Sequence, residues 1–131
     1  MLLDTHTFAW WLGNPERLSA TARREIARLG PRILVSAVSI YEMALKHRRG
    51  HWLEVAVIVA DPVGQIVAEG MEALPLQLAH ARAAGALDWD HRDPFDRMLA
   101  AQAIAEDATL VSADRAFAPL AQTGRLRLMW D

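Results

Sequence analysis

Five short apolar runs, separated by stretches long enough for helices, leave this chain few folds to adopt. The runs lie at residues 1–4, 32–36 (RILVS), 72–76 (EALPL), 109–113 (TLVSA) and 126–130 (LRLMW). Strands that are apolar on both faces and alternate with helices predict a parallel sheet covered on each side. The expected fold class is therefore α/β, a three-layer α/β/α sandwich around a mostly parallel sheet. Right-handed crossovers set the carboxyl ends of all strands along one edge, where ligands collect in such sheets. No repeat, low-complexity tract or change of composition divides the chain, so residues 1–131 are expected to form a single domain.

Helix punctuation supports this division. Ser19 suits a cap for a helix over 19–29 that stops before Gly30-Pro31. Residues 38–49 end in Lys46, His47, Arg48 and Arg49, as the negative end of a helix favours. Asp61-Pro62 reads as a cap and first turn, 77–84 as a helix halted by Gly85, and 94–106 as an alanine-rich helix. Residues 5–12 are apolar and rich in tryptophan, and the run VAVIVA at 55–60 fits helix or strand equally.

That run is also the longest purely apolar one, far too short to span a bilayer. With no secretory signal at the N-terminus and no cysteine, a cytoplasmic protein without a membrane partner is expected. Any metal must then be held by carboxylate, imidazole or carbonyl groups. A net charge of −2 excludes a uniformly cationic nucleic-acid surface, yet leaves room for an acidic cleft neutralised by metal.

The stretch HRDPFDRML, residues 91–99, sharpens the question. Asp93 suits the N-cap, Pro94 the first helical position, and Asp96 a place facing the positive helix end. Capping alone accounts for these residues, but not for what arrives beside them. Asp4 closes the first apolar run, Asp114 follows TLVSA, and Glu42 lies one turn into the helix after RILVS. Four carboxylates from four separate strand–helix connections are expected on one edge. Clustered carboxylates repel one another unless a cation compensates, and oxygen-only donors suit Mg²⁺ or Mn²⁺. The implied chemistry is phosphodiester hydrolysis.

The stretches LLDTHTFAWWL, ILVSAVSIYEMALKHRRG, LPLQLAHARAAGAL, HRDPFDRMLAAQA and TLVSADRAF, in that order, resemble the PIN-domain ribonucleases, specifically VapC-type toxins of toxin–antitoxin pairs. The resemblance implies a PIN-like sandwich and a catalytic quartet of Asp4, Glu42, Asp96 and Asp114. It makes Asp4 and Asp96 the direct metal ligands and leaves Asp93 as the cap. It further implies Mg²⁺- or Mn²⁺-dependent cleavage of RNA, inhibition by a cognate VapB-like antitoxin, and a homodimer. Residues 52–70 depart most from the family pattern.

The remaining candidates have two readings each. Thr5 and Ser112 are expected to hydrogen-bond the carboxylates beside them. Arg97, a cation in a first turn where the helix dipole offers it nothing, is expected to contact RNA phosphate or to orient a carboxylate. His6, His80 and His91 are expected in structural or supporting roles, since hard ions do not call for imidazole. Trp10 and Trp11 are expected in packing rather than base stacking, and KHRRGH (46–51) either binds phosphate or complements a helix end. The alternative to an enzyme is an inactive PIN-like module that only binds RNA or an antitoxin. A phosphatase or phosphoreceiver fits poorly, because the second carboxylate such sites want near the first strand is His6 here.

Overall fold

The computed structural model describes residues 1–28 and 30–131. Leu29, the last residue of the helix expected over 19–29, lies outside the described residues. In chain order the elements are β1 (Leu2–Leu3), α1 (Thr5–Gly13), α2 (Ala20–Ala27), β2 (Leu34–Ser36), α3 (Ala37–Arg48), α4 (Ala56–Ala60), α5 (Pro62–Ala68), β3 (Glu72–Leu74), α6 (Leu78–Ala86), α7 (Pro94–Ala105), β4 (Leu110–Val111), α8 (Ala118–Gln122) and β5 (Leu128–Met129). All five strands pair in parallel in the order β3-β2-β1-β4-β5. The sheet grows from β1 in one direction through β2 and β3, then in the other through β4 and β5. This reversal puts the topological switch between β1 and β4, where a crevice opens beyond the carboxyl ends.

Alternate residues of each strand serve opposite faces. Leu3, Val35 and Val111 join Phe8, Ala22, Ile26, Met43, Ile58 and Ile66 in one core. Leu2, Leu34 and Leu110 join Leu99, Ala100, Ala103, Phe117 and Leu120 in the other. Two apolar cores separated by one sheet are the expected three layers. The strands are shorter than the apolar runs because capping claims their ends. Asp4, the last residue of the run 1–4, caps α1 through Thr7 N–H at 2.8 Å while β1 stops at Leu3, and Pro75 has no N–H with which to continue β3.

Two helix expectations need adjustment. Gly85 does not stop α6, which runs on to Ala86. Helix α6 lies along α7 with Ala84 buried, and that packing outweighs the roughly 1 kcal/mol a helical glycine costs. Residues 55–60 become helical, a 3₁₀ turn at Leu53–Val55 leading into α4. Asp61 caps α5 as expected, accepting from Gly64 N–H at 3.0 Å. No helix among the described residues is long and apolar enough to cross a membrane.

A buried polar chain fastens α7 to the sheet. Ser36 Oγ donates to Gln102 Oε1, while Gln102 Nε2 donates to the Pro75 carbonyl at 3.2 Å and lies 3.4 Å from His80 Nδ1. His80 Nδ1 also accepts from Gln77 N–H at 3.1 Å, so this histidine works as a structural acceptor. Gln102 has no exposed surface, and its loss would leave Ser36 and Pro75 short of partners. Gln102→Ala is expected to lower stability by about 2 kcal/mol in urea unfolding; a change within 0.5 kcal/mol, roughly the surface-substitution range, would contradict this account.

Candidate active site

Asp4 is placed by three elements at once. Its N–H donates to the Val111 carbonyl of β4 at 3.1 Å, extending the β1–β4 pairing by one residue. Its Oδ1 caps α1 by accepting from Thr7 N–H at 2.8 Å, and its Oδ2 accepts from Ser112 Oγ. Ser112 Oγ in turn accepts from Asp114 N–H at 3.0 Å, tying the β4 exit to the β1 exit. Asp114 starts the next 3₁₀ turn, its Oδ1 accepting from Ala116 N–H at 2.9 Å. The expectation for Ser112 therefore matches its observed contact. Thr5 differs: it donates to Ser39 Oγ at 3.0 Å, and the carboxylate partner in α1 is Thr7.

A cleft of about 350 Å³ opens at this switch point. Asp4, Glu42, Asp96 and Asp114 all line it, so the four carboxylates picked from separate connections do come together. Asp93 and Lys46 line it too. Asp93 keeps its cap role, with Oδ1 accepting from Phe95 N–H at 2.8 Å and Asp96 N–H at 3.2 Å. Lys46 Nζ is 2.5 Å from Glu42 Oε2, a contact within α3. Lys46, His47 and Arg48 occupy the last turn of α3, where cations suit the helix dipole.

Two sequence expectations concern the rim. His91 Nε2 lies 2.7 Å from Asp96 Oδ2, a supporting role of the kind expected. The Arg97 guanidinium donates to the carbonyls of Ala84, Leu87, Trp89 and His91 at 2.6–3.0 Å. It touches no carboxylate among the described residues. A cation that the helix dipole does not favour was the signal, and its purpose was backbone carbonyls. His6 stacks on Trp52 with ring centroids 4.6 Å apart, and Trp10 and Trp11 pack against the core as expected.

The electrostatics are tense. Five carboxylates line the cleft against one lysine. Burial pushes the Asp4 carboxyl above its ordinary value, against the hydrogen bonds from Ser112 and Thr7. Burial likewise pushes Asp96 up to about 6; the His91 hydrogen bond opposes this, and the charges of Asp93 and Asp114 add to it. Such groups fit a hard dication, since oxygen donors predominate and their charge is short of compensation. The tightest group of ligand atoms is His91, Asp93 and Asp96, all within 4.8 Å of one another. Asp4 is not in that trio but lines the same cleft as Asp93 and Asp96. A larger void of about 640 Å³ shares His6, Trp10 and Lys46 with the cleft, but Glu54 and Glu69 are its only carboxylates. The chemistry concentrates in the smaller opening.

Residues 1–122 match the model of the PIN-domain family, and the chain belongs to that family. Within it the chain is of the VapC type. It is 32% identical over 116 residues to Ribonuclease VapC22 of Mycobacterium tuberculosis, covering 88% of this chain and 87% of that protein. Among solved structures it resembles VapBC2 from Rickettsia felis bound to a promoter DNA fragment, with TM-score 0.64, 18% identity, and 99% and 98% of the two chains covered. It also resembles a toxin–antitoxin complex from Klebsiella pneumoniae, with TM-score 0.59, 14% identity and 89% of each chain covered.

The Asp96 shift carries a sign. A folded-state value raised from 3.8 to about 6 means stability is fully present below the lower value and is lost as pH climbs through the higher. Metal-free protein is therefore expected to weaken between these two values. At pH ~7, Asp96→Asn should be more stable than wild type by about 2 kcal/mol, a gap that closes at acid pH. Urea midpoints across that range check this, and a less stable Asp96→Asn at neutral pH would refute it.

Proposed function

We propose that this chain is a metal-dependent endoribonuclease acting as the toxin of a toxin–antitoxin pair, with a VapB-like antitoxin as its inhibitor. The observation that carries this reading is the convergence of Asp4 and Asp114 from the ends of β1 and β4, Glu42 from α3 and Asp96 from the first turn of α7 on one cleft at the β1/β4 switch. Family membership and the likeness to a named ribonuclease support it, and both solved structures named above are toxin–antitoxin assemblies.

Asp4 and Asp96, which both line the cleft, would hold the cation, Mg²⁺ or Mn²⁺. When bound there it supplies positive charge against phosphoryl oxygens and acidifies water. The chain's own groups do the rest. Thr7 N–H and Ser112 Oγ hold the Asp4 carboxylate in one orientation. Asp114 Oδ1 is taken by its cap, which leaves Oδ2 to accept a proton from an attacking water. Lys46, paired with Glu42, brings a cation to the cleft wall where a phosphate must approach five carboxylates. In-line attack on phosphorus then breaks the P–O3′ bond, the departing O3′ takes a proton from solvent water, and a 5′-phosphate and a 3′-hydroxyl remain.

Expression in cells, followed by mapping of new RNA 5′ ends, tests the reading directly. Asp4→Asn and Asp96→Asn keep the shape of each side chain and remove its charge, so each is expected to lower cleavage by at least ~100-fold and to relieve growth arrest. Excess chelator should do the same to the purified protein. Wild-type cleavage in either variant, or in chelator, would overturn the assignment.

A further inference from the structure

Residues 87–93 join α6 to α7 without regular secondary structure, so their carbonyls need partners from elsewhere. The end of α6 has the same need, because the last carbonyls of a helix lack internal acceptor bonds. One side chain meets both. Arg97 Nε donates to the Ala84 carbonyl at 3.0 Å, in the last turn of α6, and Nη2 to Leu87 at 2.6 Å. Nη1 donates to Trp89 at 2.6 Å and to His91 at 2.9 Å. A guanidinium is planar and presents its donors in fixed directions, so these four carbonyls are set relative to α7 itself. The half-buried Arg97 is not part of the cleft wall, yet it adjoins Asp96, which is.

The segment it holds ends on His91. Trp89 packs against Phe117 at 5.7 Å between centroids and against the His91 ring at 4.8 Å. The imidazole is thus held both by its backbone and by a ring neighbour. Its Nε2 meets Asp96 Oδ2 at 2.7 Å. We propose that Arg97 and His91 form a positioning device for Asp96: Arg97 fixes the path of residues 84–91, and the imidazole so held fixes the carboxylate by donating to Oδ2. Oδ1 is left as the oxygen available to a cation. This inference rests on the reading of Asp96 as a cation ligand. It adds that the ligand's geometry is set from outside the cleft, by a residue that touches neither cation nor substrate.

The competing arrangement is His91 as a ligand in its own right, because its ring lies within 4.8 Å of Asp93 and Asp96 ligand atoms. Two observations favour positioning. Hard dications prefer oxygen donors over imidazole, and Nε2, the nitrogen turned to the site, is already engaged with Asp96. Outer partners of this kind typically change metal affinity by roughly 10–100-fold.

Mn²⁺ titration of the full chain, read by electron paramagnetic resonance, separates these ideas without reference to turnover. His91→Ala is expected to weaken Mn²⁺ binding by roughly 10–100-fold, and His91→Gln, which keeps an N–H at similar reach, to restore most of it. Arg97→Lys replaces the fork by a single point of charge and should weaken binding by about tenfold. Bound Mn²⁺ should show no directly coordinated nitrogen. Unchanged affinity in His91→Ala, no recovery in His91→Gln, or nitrogen coupling from a ligating imidazole would each overturn the proposal. The His91 side chain is 28% exposed, so its variants remain decisive even where Arg97→Lys perturbs folding. Asp96→Asn is the control: loss of binding there with wild-type affinity in His91→Ala refutes only the device, whereas wild-type affinity in Asp96→Asn removes the reading of the cleft beneath it.

Discussion

Pairing of β1 with β4 is the constraint on which the cleft depends. Leu2 and Leu3 lie beside Leu110 and Val111, and the Asp4 N–H continues the ladder onto the Val111 carbonyl. That register brings Asp4 against Ser112, 108 positions away along the chain. Because β2 lies on the other side of β1, the connections after β1 and β4 diverge to opposite sides of the sheet and leave a crevice between them. A slip of one residue in this pairing would turn every strand side chain to the wrong core and separate Asp4 from its partners.

Gathering charge in that crevice is costly. Burial of Asp4 and partial burial of Asp96 disfavour their ionised forms, and Asp93 and Asp114 add repulsion at Asp96. The fold opposes this strain with donors aimed at particular oxygens: Thr7 N–H and Ser112 Oγ at Asp4, His91 Nε2 at Asp96, and Lys46 Nζ at Glu42. Hydrogen bonds orient a carboxylate but do not cancel its charge. The site is thus preorganised and left electrically unsatisfied, the condition in which a dication gains most on binding. Structural strength comes from other groups, in the two apolar cores and in the Ser36–Gln102–His80 chain.

Much of the fold was legible because strand and helix leave different periodicities. The alternation of apolar runs announced a covered parallel sheet, and Ser19, Asp61 and Asp93 each cap the helix they were expected to cap. Gly85 was misleading, since a glycine ends a helix only where the backbone needs to turn, and packing against α7 kept it straight. Asp4, Glu42 and Asp114 could be chosen from the chain because each comes after a strand, a one-dimensional property, whereas Asp96 follows α6 and was marked instead by the DPFD helix start. Polar partners were harder. Ser112 was readable by adjacency, while the Thr5 hydroxyl pairs with Ser39 and the carbonyls that Arg97 serves left no local sign in the sequence.

By itself, then, the sequence determined the layers of the sandwich, the capped helix starts and the edge on which the acids lie, because each follows from local spacing. Strand order, the side of β1 on which β4 lies, and the partners of Arg97, Gln102 and His91 were decided only in three dimensions. Pairing between distant segments and the satisfaction of loop carbonyls depend on which surfaces meet, and that information is not local to any stretch of the chain.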